Sequence, residues 1–293
     1  MRVFVTGATG FIGMAVTKDL IAAGHQVLGL YRDEAKAAAL AATGAEPYRG
    51  TLEDHASLQH GAAQADAVIH LAFNHDFSKF AANSELDRRA ILAIGSVLKG
   101  SAKPLLVTGG VGLVASGRVA TEDDRPPPDF PRASEAAAAA LAAEGVNAGV
   151  VRLPQVHDTA RQGLISYAIQ VYRTQGSCAY IGEGLNRWSA APVLDVARLY
   201  RLAIEKAEAG ARYHAVAEEG VTMRAIAETI ARRLNLPVVS IVPEDAPAYF
   251  GWLAMFAGLD MPASSAQTRA KLGWQPTGPG LLSDLANLDR SGP

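Results

Sequence analysis

Cysteine is almost missing from this chain. The single residue, Cys178, excludes an intrachain disulfide and any cysteine-built zinc site, and a lone thiol of this kind reads as a small core residue rather than a nucleophile. An excess of charge is missing too. The formal net charge is −2 and the pI is near 6.4, so no basic field marks out nucleic acid as a partner. No apolar run reaches the roughly 18 residues that would suggest a membrane span, and no secretory signal is read ahead of the first strand, so a soluble, cytoplasmic protein is expected. His55 and His60, like His70 and His75, stand five apart, a spacing that matches no pair of ligands on one helical face, so no metal site is expected. A Gly-x-Ser-x-Gly elbow is absent, which removes support for a serine hydrolase. Tyrosine does not occur anywhere from Val68 to Leu164.

What is present describes a globular protein. With 293 residues, 49% of them hydrophobic, and a mean hydropathy of +0.10, the chain can bury a sizeable core as one large domain or two intimately joined ones. Its most informative stretch is Val3 to Gly13. Val3, Phe4 and Val5 read as a buried strand, which breaks at Thr6-Gly7, and helical spacing begins after Gly13 with Ala15, Val16, Leu20 and Ile21 on the apolar stripe. Gly7, Gly10 and Gly13 then form a G-x-x-G-x-x-G loop between strand and helix. The first allows a tight turn, the second a close approach to a pyrophosphate, and the third close packing of helix on strand. The N–H groups of Phe11, Ile12 and Gly13 point at the phosphates, aided by the helix dipole. Thr9 lies in the same loop. This is a dinucleotide-binding turn in the setting it requires.

The second strand, Gln26–Leu30, ends in Tyr31-Arg32 where many NAD-binding folds place a carboxylate on the adenosine ribose. A guanidinium here pairs with a 2′-phosphate, so NADP is favoured over NAD, although Asp33 is within chain reach of the ribose. An alanine-rich helix (Asp33 to Thr43) leads to a third strand at Glu46–Arg49, followed by Thr51 and Leu52. A short helix over Ala56–Ala63 precedes a fourth strand, Ala67–Ala72, in which His70 reads as a core histidine. A long helix from Phe77 through Lys99 leads to a fifth strand, Pro104–Val107, ending in Thr108. Thr121–Pro131 is an acidic, proline-rich surface loop; Ser134–Glu144 is helical; Ala148–Leu153 is the sixth strand, followed by Pro154. This alternation predicts an α/β fold, a doubly wound parallel Rossmann sheet, with Leu71, Ala72, Phe73, Thr108, Leu153 and Pro154 at the carboxyl ends of strands where ligands bind.

Beyond residue 153 the pattern changes. Residues 154–187 and 217–293 are expected to form a smaller α/β substrate-binding part, and residues 1–153, completed by about 188–216, the dinucleotide-binding part. Residues 155–187 look irregular, with one helix around Leu164–Arg173. Helices follow up to Ala207 and over Met223–Leu234, with short strands at Tyr213–Val216 and Val238–Val242. Tyr249 to Phe256 is apolar all round, so it is buried, meets a partner, or covers a pocket.

With these residues laid out, the chain resembles an extended, atypical short-chain dehydrogenase/reductase of the NAD(P)-dependent epimerase/dehydratase type. The resemblance rests on Val5 to Gly13, Val68-Ile69-His70-Leu71-Ala72, Val151-Arg152-Leu153-Pro154, Val193-Leu194-Asp195-Val196-Ala197 and Thr268 to Pro276, and it spans nearly the whole length. It implies a bound nicotinamide dinucleotide, a small-molecule substrate, and a homodimer built from the helix after Phe77 and the helix after Ser134. It also implies a Tyr-x-x-x-Lys pair, whose lysine lowers the tyrosine pKa and whose phenol exchanges a proton with the substrate. Here the matching segment is Pro131-Arg132-Ala133-Ser134-Glu135, with proline and glutamate in the two places, and a glutamate raises a neighbouring phenol's pKa rather than lowering it. Thr108, Ser134, His157 and Tyr167 are substitutes to consider. The leading expectation is an NAD(P)-dependent oxidoreductase acting on a carbonyl or alcohol. A non-catalytic NAD(P)-binding sensor is the alternative, and a sugar-nucleotide epimerase or dehydratase a weaker one.

Overall fold

Val3, Phe4 and Val5 are fully buried because the strand they form, β1 (Arg2–Thr6), lies in the middle of a sheet covered on both faces. We describe the fold from a computed structural model, which covers residues 1–112, 114, 115, 117–127 and 132–289. Pro131, at the place of the family tyrosine, and the end of the proline-rich loop lie outside the described residues.

Around β1 the chain adds β2 (Gln26–Tyr31), β3 (Glu46–Arg49), β4 (Ala67–His70), β5 (Leu105–Gly110) and β6 (Ala148–Leu153). After β7 (Gln155–His157), β8 (Cys178–Ile181) and β9 (Arg187–Pro192), a further strand, β10 (Arg212–His214), returns to pair with β6. The main sheet therefore runs β10-β6-β5-β4-β1-β2-β3, with every pairing parallel. Strand order reverses between β1 and β4, which opens a crevice at their carboxyl ends.

Helices fill both faces. Helix α1 (Phe11–Ala22) packs one face; after α2 (Ala37–Ala41), the helices α3 (His55–Ala63), α4 (Phe80–Ser96) and α5 (Ser134–Ala143) pack the other. Helix α6 (Leu164–Gln175) belongs to the C-terminal half, and α7 (Val193–Lys206) returns to lie beside α1 on the first face. The alanine-rich stretch after Arg32 is shorter as a helix than its composition suggests: a 3₁₀ turn, Glu34–Lys36, precedes α2. Likewise the long helix begins at Phe80, after a 3₁₀ turn over Phe77–Lys79.

The C-terminal half has its own core. Strands β7 and β9 join β11 (Glu218–Thr222) in a three-stranded sheet, and β8 pairs with β12 (Val238–Ile241). Residues 155–187 are thus more regular than the sequence suggests, because strands of three or four residues leave too little periodicity to read. Helix α8 (Met223–Leu234) and the late segments α9 (Ala246–Phe250), α10 (Ala254–Ala257), α11 (Ala266–Leu272) and α12 (Leu281–Ala286) complete the chain. Ile165, Tyr172, Cys178, Trp188, Ile226 and Leu281 are fully buried here, the role expected for Cys178. Among the described residues no helix is long and apolar enough to cross a membrane.

Candidate functional site

The glycine loop is a cradle by construction. Gly7 sits at φ 69°, and a Cβ on it would lie 2.8 Å from the Ala72 nitrogen. A Cβ on Gly13 would come within 2.0 Å of the Gly7 carbonyl oxygen, so no side chain fits where α1 meets β1. Gly10 is the N-cap of α1, and no side chain caps the helix. An uncapped helix start facing open space fits the phosphates of a dinucleotide.

That open space is a cavity of about 700 Å³. Gly7, Gly10, Phe11, Ile12 and Gly13 line it at one side, with Leu71 and Phe73 after β4, Thr108 at the end of β5, and Leu153 and Pro154 after β6. It continues into the C-terminal half, where Tyr167, Trp188, Met255, Phe256 and Met261 form its wall. The end of the apolar stretch, Met255 and Phe256, therefore covers a pocket, while Phe250 and Leu253 within it are buried in the core of the C-terminal half. Trp252 stacks on Phe77 at 4.8 Å between ring centroids, tying this cover to the loop after β4.

At the wall between the two halves stands Arg132. Its guanidinium lies 4.3 Å over the Phe73 ring and donates through Nε to Ser134 Oγ (3.2 Å) and through Nη2 to the Thr108 carbonyl (3.3 Å). Ser134 donates in turn to Asp87 Oδ2, and Asp87 Oδ1 faces His70 Nε2 at 3.0 Å. His70 Nδ1 meets Thr6 Oγ1 at 2.8 Å, and Thr6 accepts the Ala72 N–H. One arrangement of protons satisfies every partner: Thr6 donates to Nδ1, Nε2–H donates to Asp87, and the carboxylate faces the serine that supports the arginine. Withdrawal from water pulls the Arg132 pKa down, while Asp87 and Tyr200 oppose this. A guanidinium stays cationic under such shifts. His75 lines the same cavity, and burial, followed by the Arg132 charge, lowers its pKa from 6.5.

Glu135, at the place of the family lysine, is engaged elsewhere. Its carboxylate grips Arg152 with two bonds of 2.9 and 2.6 Å and also accepts from Arg212 at 2.9 Å. Arg152 is fully buried on β6, and it further donates to the Asp124 carbonyl (2.6 Å) and to His214 Nε2 (2.9 Å) on the neighbouring β10. His214 gives its other ring nitrogen to the Ser264 carbonyl, and burial, then Arg152, lowers its pKa. The neutral ring is thus the acceptor that Arg152 needs. Glu135 is the counter-ion that permits a buried guanidinium here.

A family model described as NAD(P)H-binding matches residues 7–177, from the glycine loop through the whole cavity wall of the first half. The chain belongs to that family. An uncharacterized protein of Schizosaccharomyces pombe is 46% identical over 291 residues, covering 98% of this chain and 99% of the relative. A 4-hydroxy-2-methyl-3-oxo-4-farnesyl-3,4-dihydroquinoline-1-oxide ketoreductase of Stigmatella aurantiaca is 38% identical over 98 residues, 33% of this chain and 29% of that enzyme. Among solved structures, the dTDP-glucose 4,6-dehydratase DesIV of Streptomyces venezuelae superposes with a TM-score of 0.78 at 18% identity, covering 98% of this chain and 95% of the other. The fold is that of the extended short-chain dehydrogenase/reductase, epimerase/dehydratase type.

In this NAD(P)H-binding chain the residues singled out from sequence divide into three groups. Gly7, Gly10, Phe11, Ile12, Gly13, Leu71, Phe73, Thr108, Leu153, Pro154 and Tyr167 line the one cavity. Thr9, Arg32, Thr51, Leu52 and Ala72 stand at the same carboxyl-end rim without lining it, Arg32 being exposed past the end of β2. Two of the candidate proton donors are withdrawn from the cavity. Ser134 is fully buried and donates to Asp87, and His157 is fully buried with Nδ1 on Asp284 Oδ2 at 2.7 Å. Thr108 does reach the wall, but its hydroxyl donates to the His70 carbonyl (2.7 Å) and faces the Tyr200 hydroxyl (2.7 Å). His70 is the core histidine expected, held at both ring nitrogens. The group that sequence reasoning missed is Arg132. Its position one residue after the vacated tyrosine place was the available signal. Among the described residues, no cluster of histidine, cysteine or carboxylate groups could hold a metal.

Proposed function

We propose that this protein is an NAD(P)-dependent oxidoreductase acting on a carbonyl or alcohol group of a small molecule. What supports the reading is one cavity that joins an uncapped glycine loop to a guanidinium and then to an apolar pocket. A partial relative that is a ketoreductase supports it as well. The bound dinucleotide supplies the hydride in reduction and accepts it in oxidation. The chain's own part is to hold and polarise. On reduction the substrate oxygen would gain negative charge, and water would supply its proton. Arg132, which lines the cavity, would offer its guanidinium to that oxygen as the charge grows and would keep its own protons throughout. The apolar cover limits water around the reacting carbon.

Consumption of NADPH in the presence of a broad panel of aldehydes and ketones tests this directly. The reading fails if no member is reduced while the cofactor is demonstrably bound. Equal affinity for oxidised and reduced cofactor, with no turnover, would instead favour a structural or scaffold role.

NADP is the preferred cofactor in this reading. Asp33, the carboxylate that could otherwise serve the ribose, accepts the Ala35 N–H at 3.0 Å as the cap of the 3₁₀ turn, which leaves Arg32 free to meet a 2′-phosphate. Arg32→Ala is therefore expected to weaken NADPH binding several-fold and to leave NADH nearly unchanged. Fluorescence titration with both cofactors checks it, and an equal loss for the two removes Arg32 from the phosphate. A homodimer belongs to the same reading. Ala136, Ala139 and Ala140 form an exposed small-residue face on α5 that permits close approach of a second copy. A monomeric mass in solution would sink it.

A further inference from the structure

The substrate half of the cavity has a wall that is mainly apolar. Phe77, Tyr167, Trp188, Phe256, Leu259 and Met261 present rings, alkyl groups and a thioether. Three of the polar side chains among them, Gln155, Gln162 and Ser166, are engaged by the protein itself. Gln155 Oε1 accepts the Leu164 N–H at 3.0 Å, and Gln162 donates to the Asp158 carbonyl at 2.8 Å and meets Ser166 Oγ. Arg161 and Arg173 stand on exposed parts of the rim.

Ser189 is different. It lies on β9 in this wall and is only 2% exposed, yet its hydroxyl has no hydrogen-bond partner. A buried hydroxyl left unpaired costs stability, and natural proteins keep such groups where something else completes them. The nearby backbone does not serve: the Ser189 N–H goes to the Met261 carbonyl and the Trp188 indole to the Leu259 carbonyl.

We propose that this half of the cavity binds an uncharged, predominantly apolar carbonyl compound, aromatic or long-chain, that carries a second hydrogen-bonding group for Ser189 Oγ. The proposal rests on the oxidoreductase reading only for the place of the reacting carbonyl at Arg132. A sugar nucleotide asks for many donors and a cationic seat for its diphosphate. Arg161 and Arg173 stand only on exposed parts of the rim, and the six apolar side chains with one unpaired hydroxyl suit the opposite kind of ligand.

The test uses the full-length protein saturated with NADP⁺ and three probes: para-hydroxyacetophenone, acetophenone and UDP-glucose, with binding followed by tryptophan fluorescence and calorimetry. The hydroxylated ketone is expected to bind at least tenfold more tightly than UDP-glucose and several-fold more tightly than acetophenone. Ser189→Ala should erase the advantage of the ring hydroxyl, leave acetophenone binding unchanged, and leave Tm the same or higher, since it deletes an unpaired group. Tighter binding of UDP-glucose overturns the substrate class and leaves the oxidoreductase reading standing. Ketone binding as expected, with no NADPH consumed by any carbonyl, defeats the oxidoreductase reading and leaves the class intact. A fall of several degrees in the Tm of Ser189→Ala makes the hydroxyl structural and overturns its role.

Discussion

Glu135→Lys, the change that would reinstate the family's lysine, is expected to destabilise the protein rather than reactivate it. The wild-type carboxylate neutralises Arg152, which is completely buried, and also holds Arg212. Replacing it with an ammonium removes three charge-assisted hydrogen bonds and sets a third cation against two others. Breaking a buried ion pair on one side costs roughly 3–5 kcal/mol, because the remaining charge stays in a poorly solvated place. In a chain of this size each kcal/mol lowers Tm by about 2–4 °C. Thermal denaturation should therefore show a drop of about 6 °C or more, with Arg152 on β6 and Arg212 on β10 losing their common partner. Glu135→Gln keeps the shape and part of the hydrogen bonding, so its loss should be clearly smaller. A Glu135→Lys protein as stable as wild type would show that the network carries no net stability, and the account of why glutamate stands here would fall.

That network also shows where sequence reading stops. The glycine loop was legible because its mechanics are local: three glycines three residues apart, a strand before and a helix after. The inner strands of the main sheet were legible because they are buried on both faces and read as short apolar runs. Glu135 could be seen as a departure from the family pair, but its partner Arg152 lies 17 residues on and His214 a further strand away. Ser134 reads as a plausible hydroxyl donor until the fold sets it against Asp87, 47 residues earlier and on another helix. Ser189 carries no signal at all in the sequence. A serine on a strand acquires meaning only when the fold buries it in a cavity wall with no partner for its hydroxyl. The same holds for β7 and β8, of three and four residues, which are too short to show a period and are paired by their tertiary neighbours.

Arg132→Leu is expected to lower turnover by about 10²–10³ while leaving dinucleotide affinity close to wild type. The magnitude is that of removing one preorganised donor from a developing oxyanion. The selectivity follows from its contacts: Arg132 lies over Phe73 and donates to Ser134 Oγ and the Thr108 carbonyl, and neither bond goes to the Gly7–Gly13 loop. Arg132→Lys should recover only a small part of the loss. A lysine keeps the charge, but one ammonium on a flexible stem cannot hold Ser134 Oγ and the Thr108 carbonyl together and still present a donor to the substrate. A second readout does not depend on turnover. The Arg132 charge is one of the causes that lower the His75 pKa, with burial the larger. In Arg132→Leu the ring should titrate at higher pH than in wild type while remaining below 6.5, because its burial persists. An NMR titration of the histidine ring protons reads this directly. If turnover falls and the His75 titration does not move, the loss comes from rearranged packing and not from the missing charge. If turnover survives the leucine, the oxygen is polarised by some other group, and the water-assisted reduction described above needs a different electrophile.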